Sequence, residues 1–293
     1  MRIAERFKLW ALISAVVIVL GLGIAMVKGF NLGIDFTGGT MLQVDMGRTY
    51  TVEEVKNSIS EFDLSPEIIE VGAEKQEVLI KTTKPLDNKE RMVIFNKMKS
   101  DFSLADDALR AQDQFGSTVG KEMQKKAFLS VALASIGMLI YITLRFEITF
   151  GISSIIALVH DVLILLAVYA IFRIPVNSSF IAAVLTIVGY SINDTIVVFD
   201  RVRENVKFMK KADYIKVAND SIGQTLHRSI NTSLTTALVI GSLYVLGIDS
   251  IKEFALPLLA GVLVGTYSSI FIASPLWATI KQSRHNKNRK YAG

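Results

Sequence analysis

Six stretches of this chain are apolar over the length a helix needs to cross a bilayer, and charged segments separate them. A hydrocarbon core about 30 Å thick takes roughly 20 residues of α-helix. Residues 9–27, 127–144, 148–172, 174–199, 229–248 and 254–280 meet that requirement. The chain is 51% apolar and still 20% charged, which suits spans alternating with polar segments and not one soluble core. The first span follows Arg2, Arg6 and Lys8, as the core of a signal peptide would. Its apolar run is too long for one and no A-x-A-like site follows it, so it reads as an uncleaved first span.

Lysine and arginine set the expected orientation, because they accumulate on the cytoplasmic side. They cluster at the amino terminus, in the loop after span four (Arg201, Arg203, Lys207, Lys210, Lys211, Lys216) and in the tail (Lys281, Arg284, Lys287, Arg289, Lys290). Six spans put those three segments on one side. The short loops near 173–177 and 249–253 then fall outside, together with the long segment 29–126. The expected organisation is therefore 1–28, cytoplasmic N-terminus and first span; 29–126, an extracytoplasmic domain; 127–280, a bundle of spans two to six; and 281–293, a basic cytoplasmic tail. A net charge of +5 distributed in this way is a topology signal at an anionic leaflet rather than a nucleic-acid patch.

The segment 29–126, about 95 residues, is long enough for a small domain. Alternation at 40–46, 67–71 and 77–82 predicts strands. Thr51 with Glu54 three residues on is a capping box opening a helix over 51–62, whose apolar positions are Val52, Val55, Ile59 and Phe62. A second helix spans 88–102, and a last extended piece lies within 109–119. This β-α-β-β-α-β order predicts a ferredoxin-like α+β domain. The predicted whole is an α-helical polytopic membrane protein with that domain inserted after its first span.

The chain has no cysteine, which removes disulfides, thiolate catalysis and Cys-ligated metals. Three scattered histidines (His160, His227, His285) do not make a metal cage, and no nucleophile–base pair stands out. Neither an enzyme nor a cofactor is expected. The informative residues are ionisable groups inside spans, where a charge costs about 2.5–3.5 kcal/mol or more. Asp161, beside His160, lies mid-way along span three. Asn193 and Asp194 lie in span four, with Asp194 roughly 8 Å above the end of its apolar run. Arg228 enters span five ahead of Asn231, Thr232 and Ser233. Antiparallel neighbours would let Asp194 and Arg228 meet. Such a couple serves either as a proton relay, since approach of the cation releases a proton and desolvation recaptures it, or as a static lock. For Asp161 the static reading is favoured over a relay role, with His160 or a nearby hydroxyl satisfying it. In span six, Gly261 and Gly265 have the small-xxx-small spacing of close helix contact.

Three blocks carry a family resemblance. Gly33-Ile34-Asp35-Phe36-Thr37-Gly38-Gly39 resembles the G-I-D-F-x-G-G signature of the SecD/SecF family of bacterial protein-export membrane proteins. The run from Gly189-Tyr190-Ser191-Ile192-Asn193-Asp194-Thr195 to Asp200-Arg201 is similar to the fourth span of that family's SecF branch. Arg228-Ser229-Ile230-Asn231-Thr232-Ser233 resembles the segment entering the fifth. The resemblance implies an RND-type half in the bacterial inner membrane that pairs with SecD, associates with SecYEG and uses the proton-motive force to draw unfolded preproteins outward. Protons are then the coupling ion, and Asp194 and Arg228 the residues implicated in their passage. Gly33, Asp35, Phe36, Gly38 and Gly39 become a hinge between span one and the outer domain, or a plain tight turn. A small-solute half-transporter and a purely structural channel subunit are the alternative functions.

Overall fold

The computed structural model describes residues 2–72, 76–209 and 212–291, for 289–291 the backbone alone. Lys210 and Lys211 of the basic loop, the side chains of Arg289 and Lys290, and residues 292–293 of the tail lie outside the described residues. Six helices are long and apolar enough to cross a membrane. They are α1 (Phe7–Lys28), α5 (Ser117–Arg145), α6 (Ile148–Phe172), α7 (Ser178–Lys207), α8 (Tyr214–Leu246), and the pair α9 (Asp249–Ser268) and α10 (Ser274–Tyr291), joined by a π-helical turn at Ser269–Ala273. Between α1 and α5 lie the short helix α2 (Ile34–Thr37), strand β1 (Gly39–Asp45), α3 (Val52–Ser58), β2 (Glu67–Val71), β3 (Glu77–Thr82), α4 (Asn88–Phe102) and β4 (Leu109–Phe115).

The inserted domain is a four-stranded sheet in the order β2-β3-β1-β4 with every neighbouring pair antiparallel, the ferredoxin-like arrangement. Alternation sends Leu42, Val44, Val78 and Ile80 to one face. There α3 and α4 cover them with Val55, Ile59, Ile94, Phe95 and Met98. Both helices open with capping boxes. Glu54 N donates to Thr51 Oγ1 at 3.2 Å, and Thr51 N donates back to Glu54 Oε2 at 2.8 Å. Asp87 and Glu90 repeat the device for α4. The other sheet face carries Glu67, Leu79 and Lys81, and it turns toward the start of α9.

Several helices run beyond the expected spans, α5 and α8 at their starts and α7 and α10 at their ends. α5 starts at Ser117, ten residues before the apolar run at 127, and α8 starts at Tyr214, fifteen before 229. In α8 the added turns are amphipathic. Val217, Ala218 and Ile222 pack into a core with Phe150, Phe199 and Trp277, while polar residues between them keep hydropathy low. Stacking of Phe150 on Trp277, with centroids 4.9 Å apart, closes this end of the bundle. α6, α7 and α9 form its interior. α1, α5 and α8 lie at its periphery and expose apolar side chains such as Val19, Leu133 and Leu238, as a multi-pass membrane protein requires.

Candidate functional site

Close approach of α7 and α9 organises the polar interior. A Cβ on Gly261 would stand 1.9 Å from Ile187 Cδ1, and one on Gly265 would stand 3.0 Å from Ser191 Cβ. Only glycine permits that contact, and it brings the hydroxyls of Ser191 and Ser268 onto one carboxylate. Asp161, fully buried on α6, accepts from Ser191 Oγ at 2.6 Å and Ser268 Oγ at 2.8 Å through Oδ2. Its Oδ1 lies 2.9 Å from His160 Nδ1. His160 Nε2 in turn lies 2.8 Å from Ser14 Oγ of α1, and Ser14 donates to Tyr267 at 3.3 Å. One carboxylate thus ties four helices together. Ser269, at the start of the π-helical turn, adds bonds to Thr195 Oγ1 and the Ser191 carbonyl. Turns of this kind recur at functional positions in helices.

Asp194 is buried as well, on the side of α7 that meets α8, with Ser229 of α8 beside its carboxyl. Among the described residues neither Asp194 Oδ2 nor Ser229 Oγ completes a hydrogen bond of good geometry, although Ser229 is near enough to act on the carboxyl. The expected contact with Arg228 is not formed: no ion pair joins them, although the charge of Arg228 acts on Asp194. Arg228 is exposed in a cleft of 530 Å³ with Arg145, Asp200, Arg201, Arg203 and Glu204. Asp200 pairs there with Arg203 at 3.0 Å, and Glu204 with Arg201 at 2.8 Å. The geometry is a buried carboxyl with one oxygen lacking a good hydrogen bond, and an exposed cation on the neighbouring helix. Asn193 is exposed and makes no hydrogen bond among the described residues.

The glycine-rich segment is a joint and not a free loop. Gly33 N donates to the Val176 carbonyl at 2.9 Å, and Asp35 Oδ2 accepts from Ser178 N at 2.8 Å, capping α7. Phe36 is buried among Leu165, Tyr169 and Phe180. Gly38 and Gly39 have φ of +78° and +148°, and a Cβ on Gly39 would stand 2.2 Å from the Thr82 carbonyl. A side chain at either position would be strained.

The description "Protein export membrane protein SecD/SecF, C-terminal" matches residues 95–283, and "SecD/SecF GG Motif" matches residues 24–49. The chain belongs to the SecD/SecF family. Protein translocase subunit SecF of Petrotoga mobilis is 39% identical over 276 residues, 90% of each chain. That of Calditerrivibrio nitroreducens is 40% identical over 283 residues, 94% of this chain and 93% of the relative. Protein translocase subunit SecDF of Bacillus subtilis is 38% identical over 94% of this chain, which spans 37% of that longer protein. The crystal structure of SecDF from Thermus thermophilus superposes with a TM-score of 0.80 at 35% identity, covering 96% of this chain and 38% of that one. Relatives of matching length are SecF subunits. Where the relative is longer, the SecF-like part is fused in a SecDF chain, and a SecD half is the implied partner of this one.

The SecD/SecF assignment places the GG motif at the α1–domain joint. Sequence reasoning expected His160 or a nearby hydroxyl at Asp161 but did not identify Ser191, Ser268 or Ser14 as members of its network. Its only signals were Ser14 as an isolated hydroxyl in the apolar run of α1, and two serines one turn beyond Gly265.

Proposed function

We propose that this chain works with SecD at the SecYEG channel of the bacterial inner membrane and uses the proton-motive force to promote preprotein translocation. Its termini lie in the cytoplasm and its inserted domain outside. The observation that carries the reading is the buried carboxyl of Asp194, whose Oδ2 completes no hydrogen bond among the described residues, beside the exposed Arg228 of a charged cleft. A carboxyl so placed binds a proton when the cation is away and releases it when the cation swings in. One charge crossing about 100 mV is worth about 2.3 kcal/mol, comparable with the gap between two conformations. For Asp161 the full set of donors favours a static role.

The test is force-dependent preprotein translocation in inverted vesicles carrying SecD with the wild-type, Asp194→Asn or Arg228→Ala chain at matched abundance. Loss of the force-dependent component in both variants, with SecD association intact, supports the relay. Normal translocation in both would leave a structural subunit. Intact protein export with accumulation of a small solute would point to the half-transporter.

A further inference from the structure

On the domain side of the bundle, one charged cluster joins three separate parts of the chain. Lys81 of β3 reaches Glu253 of α9, with Nζ 3.5 Å from each carboxylate oxygen. Both side chains are largely sheltered, at 14% and 21% exposure. Asn177 Nδ2 donates to Glu253 Oε2 at 3.2 Å, while Asn177 Oδ1 accepts from Phe180 N and so caps α7. Glu253 therefore grips the inserted domain with one contact and the end of the Asp194 helix with the other.

Glu67 is the direct cross-strand partner of Lys81 in the β2–β3 ladder, so both side chains project from the same sheet face toward α9. The Glu67 and Glu253 carboxyls are thus gathered around one ammonium, that of Lys81. Two carboxylates held at one cation repel each other, and a proton on one of them removes the repulsion. The charge count agrees. Glu67 and Glu253 against Lys81 leave one uncompensated negative charge, which a single proton cancels. Asp35 on α2 adds a further like charge from the joint. The Asp249–Lys252 pair, at 2.8 Å, lies at the same end of α9, with Glu70 near Lys252. A cleft of 260 Å³ lined by Asn31, Gly33, Ser65, Glu67 and Lys81 gives water access to the cluster.

We propose that Glu67, Lys81 and Glu253 form a latch that docks the inserted domain onto α7 and α9 and closes with uptake of one proton. With the orientation proposed above, that proton comes from the outer compartment, and docking responds to the side from which the driving force is supplied. Burial raises the Glu67 pKa above the usual carboxylate range, Lys81 opposes the rise, and Glu253 and Asp35 reinforce it. A docked state that raises a carboxyl's pKa is favoured at low pH and lost as pH rises through the docked value.

The chain has no cysteine, so spin labels at Lys89→Cys on α4 and Leu246→Cys at the end of α8 report the domain–bundle distance without background. The measurement is a distance distribution for the full chain with SecD in nanodiscs, as pH rises from about 5 to about 8. The wild type is expected to gain a longer-distance population. Glu67→Gln, the neutral isostere, is expected to stay docked throughout. Lys81→Met is expected to populate the longer distance more than the wild type across the whole range, because the Lys81–Glu253 contact is lost. A wild-type distribution that does not change with pH, or a Glu67→Gln response identical to wild type, overturns the proposal. The readout needs neither export nor a proton current, so Asp194→Asn, which tests the relay, is expected to leave it unchanged.

Discussion

Asp161 and Asp194 stand on neighbouring helices of one bundle, carry the same side chain, and have opposite surroundings. Around Asp161, three donors from α6, α7 and α9 converge within 2.9 Å, and the network runs on through His160 to α1. Around Asp194, a buried oxygen and the buried Ser229 hydroxyl lie close without a hydrogen bond of good geometry among the described residues, beside a charged cleft. A buried polar group without a partner costs about 1–3 kcal/mol, more if charged. The bundle bears that cost at Asp194 and not at Asp161. The first arrangement has one stable state. The second gains from a proton, a water or an approaching cation, and so has more than one.

Thermal unfolding in detergent separates the two directly, and the largest effect belongs to Asp161→Ala. Removing the acceptor takes from Ser191 Oγ and His160 Nδ1 their partner and leaves Ser268 Oγ only the Gly265 carbonyl, for a loss of roughly 3–5 kcal/mol. Most of the variant should fail to reach the membrane in folded form. Wild-type stability with lost translocation would reverse the assignment and make Asp161 the working site.

Next is Gly261→Ala, which acts on the packing that holds the donors in place. The added methyl collides with Ile187, and overpacking of this kind costs about 1–3 kcal/mol. Gly261→Ala combined with Ile187→Ala should recover part of the loss. Equal losses in the single and double variants would show that α7–α9 contact does not depend on this pair.

Much of this architecture was legible in the sequence and the site was legible only in part, for reasons that particular residues make plain. Bilayer spans follow from local hydropathy, and the Thr51–Glu54 box from local hydrogen bonding, so both could be read from a few consecutive letters. α8 was read fifteen residues short because the apolar side chains its first turns bury are few, Val217, Ala218 and Ile222, and alternate with buried polar ones such as Asn219 and Ser221. Asp194 stood out because a lone carboxylate in an apolar run is costly anywhere. Its separation from Arg228 did not, since helix rotation decides whether two residues at similar depth touch. The donors to Asp161 are ordinary serines, and serine in a span is a network member only if a particular neighbour faces it. Lys81 and Glu253 lie 172 positions apart, and no pattern in either segment points to the other.

Asp194→Asn should change stability little, or raise it by up to about 1 kcal/mol, because an amide tolerates burial better than an unpaired carboxyl. Its effect is functional: the force-dependent part of translocation should vanish while the melting temperature holds. Coincident loss of both would place Asp194 beside Asp161 as a structural residue.

Ser229→Ala carries the smallest expected effect and is the most exacting check on the comparison. If Ser229 Oγ is unsatisfied, deleting it removes no bond, and stability should stay within about 0.5 kcal/mol of wild type. The same deletion at Ser268, which donates to Asp161, should cost about 1.5–3 kcal/mol, the range for a hydrogen bond to a charged group. Two serines of equal size on facing helices thus report on the two aspartates. If their losses prove equal and large, a bound water or cation already satisfies Asp194 in the resting protein. The proton would then have to displace that occupant, and the relay would begin from a filled site instead of an open one.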